Sequence, residues 1–447
     1  MLSRHDNELL TRTGLGTPMG DVLRQYWQPV LFSSELLEPN GSPLRVRHLG
    51  EDLVAFRDTG GQIGLVGAHC PHRGASLFFG RNEEGGLRCV YHGWKYDVSG
   101  QCVDMPNEPA ESNFKHKIRH TAYPCVERNG IIWTYMGPEA APPPLPEFEW
   151  NLLPADQVHY SKRVATNNWV QALEGEIDSS HAPFLHSRVN PEENVNAASV
   201  LARQSRGPYY RLHDKHPRFE TIDTEYGVAI AAQRNAEEDS FYYRVNQFLM
   251  PFYTYVPPYG PNPTYTGHAW MPMDDGQAII LCFSWNPARP LGEQERQAMR
   301  YGVDGRPGLH PALDQFLPPS SRPAGAWWPQ QNKQNDLWHN SEAQQEWFSG
   351  IPGIWPQDSG CQESMGPIYD RSKEHLGVAD TGIIMMRRRL LRAARALRER
   401  AETPAGAKTP AAFRVRSVSM VLPRELSWLD AFRERVEARH GVNQDAP

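Results

Sequence analysis

Cys70-Pro71-His72-Arg73-Gly74 and Cys89-Val90-Tyr91-His92-Gly93-Trp94-Lys95-Tyr96 are the stretches on which the reading of this chain turns. They set out C-x-H, sixteen intervening residues, then C-x-x-H. Two cysteines and two histidines on two loops can hold zinc tetrahedrally, or a [2Fe-2S] cluster in which two thiolates bind one iron and two imidazoles the other. Zinc fingers space their paired cysteines by roughly two to four residues and pair His with His; the shorter first spacing, stiffened by Pro71, departs from both habits. Imidazole in place of thiolate takes negative charge off one iron and raises the potential by roughly hundreds of millivolts above an all-cysteine cluster. Reading all four as ordinary core residues requires two independent Cys/His coincidences.

Around these loops the chain is strand-like. Stretches 43–48, 52–57 and 62–66 are short and rich in Val, Leu and Phe, and Gly or Asp pairs separate them. With 131–136 they predict a small antiparallel β domain over 28–136, preceded by a short helix at 17–27 that Thr17 and Pro18 start. The proline-rich 137–147 predicts a stiff extended connection, which divides the chain into domains 1–145 and 146–447. Beyond it come a helical segment at 168–182, strand-like runs at 208–212, 219–233, 239–256, 264–273 and 277–285, and a Trp-rich loop region at 317–330. The second domain is therefore α+β with mainly antiparallel strands. Residues 383–400 predict a helix with seven arginines on a solvated face and Leu390, Leu391, Ala394 and Leu397 packed inward. A flexible linker at 402–412, a strand-like 413–422 and a last helix near 424–440 complete the chain.

A second donor set lies in residues 167–187, where Asp178, His181 and His186 form D-x-x-H-x-x-x-x-H. Asp178 and His181 are placed to share a helix face. On a regular helix His186 would point some 140° away from His181, at roughly 100° per residue, unless Pro183 kinks or ends the helix and swings it back. Two imidazoles and one carboxylate form the facial triad of non-haem Fe(II) oxygenases, with positions left open for O₂ and substrate. The carboxylate must come from afar, and spacing alone leaves Asp274, Asp314, Asp336, Asp358 and Asp370 all possible.

A cluster motif followed by N-W, E and D-x-x-H-x-x-x-x-H over essentially the whole chain resembles the α subunits of Rieske non-haem iron oxygenases, phthalate-dioxygenase-like group. That resemblance implies an N-terminal all-β Rieske domain and a helix-grip, START-like catalytic domain. It implies a [2Fe-2S] cluster on Cys70, His72, Cys89 and His92, and Fe(II) on His181, His186 and a third ligand. The segment 351–377, with its Q-D-x-x-x-x-E-S-M-G-P-I, looks like the one that supplies this ligand, which assigns Asp358 and gives Glu363 a structural role. Asp178 then takes the place of the bridge that links His92 of one subunit to His181 of the next across a trimer. Gly175 follows Glu174 where relatives often carry Asn nearby, and no function is carried over for either. The implied substrate is a small aromatic carboxylate, oxidised with O₂ and with electrons that a separate flavin/iron-sulfur reductase draws from NAD(P)H. Ring dihydroxylation is the first reading and aromatic O-demethylation the alternative.

A bound carboxylate needs a fixed cation. Arg244 shares a strand face with Tyr242, Asn246 and Phe248 and is the first candidate; the resemblance to phthalate-type enzymes, which use an Arg there and another in the preceding strand region, implies Arg211 as the second. A pure Rieske electron carrier would leave Asp178, His181 and His186 without a role, and a non-enzymatic sensor would have no use for an open iron site. Net charge is −6, with 46 basic against 52 acidic residues, so neither a nucleic-acid nor a membrane partner is expected. No run approaches the apolar length of a membrane span and the first residues are not of signal-peptide type, which predicts a cytoplasmic protein. No G-x-G-x-x-G precedes a helix, so NAD(P)H is expected to act only through the reductase. Cys102, Cys125, Cys282 and Cys361 are expected as buried thiols.

Overall fold

The computed structural model describes residues 2–109, 111–190, 206–260, 262–301 and 308–438. Helix α1 (Arg4–Thr11) is capped by the Ser3 hydroxyl, and α2 (Pro18–Arg24) starts as expected at Thr17 with Pro18 in its first turn. Strands β1 (Trp27–Phe32), β2 (Leu44–His48), β3 (Glu51–Arg57), β4 (Ile63–Gly67), β5 (Arg81–Glu83), β6 (Gly86–Arg88), β7 (Lys95–Tyr96), β8 (Cys102–Asp104), β9 (Cys125–Arg128) and β10 (Ile131–Tyr135) follow. They form three antiparallel sheets, in the orders β1-β10-β9, β2-β3-β4 and β5-β6-β7-β8. One apolar cluster, including Val54, Phe56, Leu87, Trp94 and Tyr96, encloses Cys70 and Cys89.

The rest of the chain contributes α3 (Glu149–Leu152), β11 (Val158–Ala165), α4 (Trp169–Ile177), α5 (Ala182–Leu185), α6 (Gly207–His213), β12 (Arg218–Asp223), β13 (Gly227–Asn235), β14 (Ser240–Leu249), β15 (Tyr253–Val256), β16 (Tyr265–Pro272), β17 (Ala278–Trp285), α7 (Glu293–Tyr301), α8 (Ile354–Ser364), α9 (Thr381–Arg400), β18 (Val418–Pro423) and α10 (Trp428–Arg435). Its strands make one eight-stranded antiparallel sheet, β11-β17-β16-β15-β14-β13-β12, with β18 beside β14. Strand β14 is long enough to pair β18 through Ser240–Val245 and β15 through Gln247–Leu249. Helix α4 lies on β14, β15 and β16, and α9 on β12 and β13. This is the α+β class expected: a β domain, then an antiparallel sheet gripped by helices.

Several local expectations fail for identifiable reasons. The helix expected over 168–182 ends at Ile177, because Asp178 turns extended and its Oδ1 accepts from the Ser180 amide and hydroxyl at 2.7 and 2.6 Å. Such a side chain offers the backbone a turn in place of the next helical bond. Asp178 and His181 therefore share a turn, not a helix face. The run 208–212, expected as strand, is helix α6, with Pro208 in its first turn. Residues 402–412 are no loose linker: Tyr26 donates to the Ala405 carbonyl at 2.7 Å, and Ala407 is buried. Among the extra cysteines, Cys361 is exposed and Cys125 half-buried.

The arginine-rich helix α9 is not a solvated face throughout. Arg387 is buried and holds Glu174 of α4 at 2.6 Å and Glu374 at 2.5 Å, and Arg371, fully buried, reaches Glu174 at 3.2 Å. Arg392 pairs with Asp223, and Arg395 with Asp6 of α1. Burial would raise the Glu174 carboxyl, but Arg371 and Arg387 outweigh it and hold it below the usual range. Arg387→Met leaves Glu174 with Arg371 alone and takes from Glu374 the guanidinium that holds it, and is expected to cost about 3 kcal/mol. Calorimetry should show Tm lower by several degrees; an unchanged Tm would show that this network does not hold α4 to α9.

Candidate metal centres and active-site cavity

The two Cys/His loops are built alike. In the loop after β4, the Cys70 amide donates to Ala75 O and the Gly74 amide to Cys70 O, each at 2.8 Å; between β6 and β7, Cys89 donates to Trp94 O at 2.8 Å and Gly93 to Cys89 O at 3.0 Å. Gly74 and Gly93 both sit at positive φ, 75° and 80°, which closes each loop without a Cβ penalty. Both cysteines are buried, whereas His72 and His92 are half-exposed with ring centroids 4.4 Å apart. Trp94 stacks on His72 at 4.3 Å and is itself fixed by Asn107 at 2.8 Å. Tyr96 Oη lies 3.2 Å from Cys70 Sγ. Burial raises the Cys70 thiol, so a bound cation is what would keep it a thiolate. Two buried sulphurs beside two outward imidazoles suit a cluster with one sulphur-ligated and one nitrogen-ligated iron.

The second set converges. His181 caps the start of α5 and His186 its end, so Pro183 acts in the first turn of a short new helix, not as a kink in a long one. Their Nε2 atoms are 3.1 Å apart, and Asp358 Oδ1 from α8 lies 3.6 and 3.3 Å from them. Among the described residues these three are the group whose donor atoms all fall within 4.8 Å of one another. Donors about 2.1 Å from a shared ion stand roughly 3 Å apart at a right angle, so the set fits one divalent metal.

Both imidazoles are oriented from behind. His186 Nδ1 meets Gln357 Oε1 at 2.7 Å, and the Gln357 amide donates to Ile351 O at 2.9 Å, which makes Oε1 the acceptor and leaves the His186 Nε2 lone pair for a metal. His181 Nδ1 lies 3.4 Å from Asp178 Oδ2, whose other oxygen is held by Ser180. Burial would raise the Asp358 carboxyl, but His186, His181 and Arg163 hold it below the usual range. Glu363, five residues along α8, turns away and accepts from the Thr166 amide and hydroxyl at 3.2 and 2.5 Å. The other acids do not compete: Asp274 pairs with Arg47 at 3.2 Å, and Asp370 caps Ser372. Gly175 leaves room for the Gln362 side chain of α8, whose Nε2 a Cβ there would meet at 2.4 Å and which donates to Ala172 O at 3.3 Å.

The three groups open on a cavity of about 1080 Å³ between the sheet, α4, α6 and α8. Arg244 and Arg211 both line it. Arg244, from β14, is buried; its guanidinium lies 4.6 Å from the Tyr259 ring, and its Nη1 has no partner among the described residues. Arg211 approaches the same ring at 6.0 Å from helix α6. Behind them, burial and then Arg244 and Arg211 lower Arg234 to about 10, although it donates to Ser179 O at 2.8 Å.

Sequence reading missed Gln357, Arg234 and the His268–Glu176 pair, which meets at 2.6 Å in the cavity wall. Burial would depress His268, but Glu176 and Cys282 raise it to about 10. Gln357 adjoins Asp358 in sequence, the one signal that could have flagged it.

A β domain with paired Cys/His loops, followed by a helix-gripped sheet with a His/His/Asp cavity, defines a two-centre iron oxidoreductase. The Rieske [2Fe-2S] domain model matches residues 26–123 and the LigXa C-terminal domain like model residues 134–446. The 3-chlorobenzoate-3,4-dioxygenase oxygenase subunit of Comamonas testosteroni is 38% identical over 97% of this chain and 98% of its own. The phthalate 4,5-dioxygenase oxygenase subunit of Pseudomonas putida is 35% identical over 96% and 94%. An oxygenase–ferredoxin complex of carbazole 1,9a-dioxygenase shares the fold, with a TM-score of 0.55 at 18% identity over 92% of this chain and 97% of that one. The chain belongs to the Rieske non-haem iron oxygenases, as the α subunit of an aromatic ring-hydroxylating system. It is an oxidoreductase of the kind that uses a [2Fe-2S] cluster, mononuclear iron and O₂, with electrons from a separate partner. Among the described residues, no helix is long and apolar enough to cross a membrane.

Gln357→Leu removes the acceptor that fixes His186 and is expected to weaken iron binding by about 10- to 100-fold. Iron titration of the apoprotein reads this directly; unchanged affinity would show that Gln357 does not orient the ligand.

Proposed function

We propose that this chain inserts oxygen from O₂ into a small aromatic carboxylate, benzoate- or phthalate-like, with Arg244 holding the carboxylate and Arg211 assisting. The observation that carries this reading is Arg244 itself. A buried guanidinium with an unpartnered N–H in a cavity lined by Tyr259, Val256 and Trp270 is costly unless an anion completes it. Arg234 and Arg211 add to the positive field there, and the planar fork of Arg suits a carboxylate bidentately.

In this proposal residues 1–145 carry the cluster on Cys70, His72, Cys89 and His92, and residues 146–447 hold iron through His181, His186 and Asp358. When bound, the iron supplies O₂ activation beside the substrate. The protein's own part is positional. Arg244 and Arg211 anchor the ring, Gln357 and Asp178 hold the imidazoles in register, and the apolar cavity excludes water. Asp178 also serves as bridge. About a fifth of its side chain is exposed, and in a ring of three chains its carboxylate would link His181 to the partner subunit's His92. The exposed Val90 and Tyr91 flank His92 and suit a buried contact there. Electrons would come from NAD(P)H through a separate flavin/iron-sulfur reductase.

The test is a single turnover of prereduced protein mixed with O₂ and phthalate, chlorobenzoate or methoxybenzoates, products being identified by mass. A hydroxylated or dihydroxylated acid is expected. Formaldehyde with a demethylated acid would make the chain an O-demethylase, and no product with both metals bound would overturn the carboxylate reading. Arg244→Gln should raise the Kd of any accepted acid by about 10- to 100-fold, the worth of a charge-assisted hydrogen bond. Asp178→Asn should leave both metals in place yet slow electron transfer between centres severely, as stopped-flow oxidation of the cluster would show; a normal rate would sink the bridge.

A further inference from the structure

The cavity has a second polar wall, away from Arg244, that the reading above does not use. In register on β16 and β17, Thr266 and Ser284 face each other and both line the cavity. Their hydroxyl oxygens are 2.9 Å apart. Ser284 Oγ lies 2.8 Å from His310 Nε2, and His310 Nδ1 lies 2.6 Å from Ser161 Oγ on β11. His310 and Ser284 are buried, so Thr266 and Ser284 are the end of this chain that meets the cavity.

We propose that Thr266, Ser284, His310 and Ser161 form a specificity wall that binds an uncharged oxygen substituent, a hydroxyl above all, on the ring of the acid held by Arg244. This rests on the aryl-acid reading. The argument starts with His310. Burial first, then His159, His268 and Arg300, push its pKa well below the usual imidazole value, and both of its nitrogens face hydroxyls, not carboxylates. A neutral imidazole has one N–H and one lone pair. If Nε2 carries the proton, it donates to Ser284, Ser284 donates to Thr266, and Thr266 presents a donor to the cavity. If Nδ1 carries it, every bond reverses and the wall presents an acceptor. Rotating the hydroxyls and exchanging the tautomer changes no net charge. A ring hydroxyl is both donor and acceptor and satisfies the wall in either state, whereas a methyl or chlorine leaves a polar end unpaired, at about 1–3 kcal/mol.

The wall's own groups, three hydroxyls and a neutral imidazole, offer no cation to a second carboxylate, and Glu295 at the same end of the cavity already takes the Thr264 hydroxyl at 2.5 Å and Arg289 at 2.7 Å. Distance also fits. Strand β16 lies two strands from β14, about 10 Å across the sheet. Arg244, Thr266 and Ser284 line the same cavity, and a separation of that order matches the span of a substituted aromatic ring between them.

The test is calorimetric titration of the metal-loaded protein with matched acids: benzoate and its 3- and 4-hydroxy, methyl and carboxy derivatives. The wild type should bind the better hydroxybenzoate about 10-fold more tightly than the matching toluate. Ser284→Ala and Thr266→Val, each made separately in case one fails to fold, should bring that ratio to about 1. A ratio that survives in both variants, or a variant that weakens both acids by the same factor, would make the chain a structural staple and overturn the inference. Tighter binding of a dicarboxylate than of its hydroxy analogue would overturn it too. If the wild type binds no acid in the series, the aryl-acid reading falls and this inference with it. If benzoates bind and depend on Arg244 while hydroxy and methyl acids do not differ, only this inference falls.

Discussion

Two imidazole nitrogens 3.1 Å apart with a carboxylate oxygen 3.6 and 3.3 Å from them make a triangle of donors that a protein does not adopt without support. Lone pair faces lone pair, and the third group comes from a helix more than 170 residues further on. Much of the surrounding architecture answers that demand. Asp178 ends α4 and starts the turn that carries His181; Pro183 begins the short helix that brings His186 round. Gln357 and Asp178 hold the rings from behind, and Glu363 on Thr166 with Ser359 on Arg163 pins α8 to β11 and its end. Helix α4 is in turn tied through Glu174 to Arg387 of α9 and to Arg371 in the turn before it. The ion network is thus remote from the chemistry yet sets the position of the segment that performs it.

The N-terminal domain solves a different problem. Its donors sit in two loops of the same hydrogen-bond pattern, so each Cys is drawn into the apolar cluster while each His stays near solvent. The difference between C-x-H and C-x-x-H is absorbed within loops that both close on a glycine of positive φ. Trp94 against His72 and Tyr96 against Cys70 then surround one donor of each type with a fixed partner. Hydrogen bonds to sulphur and solvent exposure are levers on a cluster's potential, and this domain sets both before any partner docks.

The cavity divides its polar groups by charge. Arg244 and Arg211, with Arg234 behind them, lie on the β13–β14 side; the neutral hydroxyl chain and Glu295 lie towards β16–β17; His268 and Glu176 neutralise each other between them. A ligand entering such a site is oriented by unlike ends, which is the requirement for oxidising one ring position and not its neighbours.

The sequence by itself determined which residues are candidate donors and where most of them stand. Cys70, His72, Cys89, His92, His181 and His186 stand in short spacings that local loops and turns can close, so their pairing was legible in one dimension. The antiparallel class was legible too, but the runs 219–233 and 239–256, each read as one stretch, hold two strands apiece, β12 with β13 and β14 with β15. What it could not rank was Asp358 among five distant acids, except through resemblance, because convergence over such a separation depends on how α8 docks against α4. The helix end at Asp178 and the helix at Arg211 were misread because an Asx turn and a Gly-Pro start compete with periodicity and win locally. Arg234 and His310 carry no spacing signal, and Gln357 has only its place beside Asp358. Their roles exist only once the sheet, α8 and the segment at 308–310 bring hydrogen-bonding atoms within 3 Å, which is a property of packing and not of the order of residues.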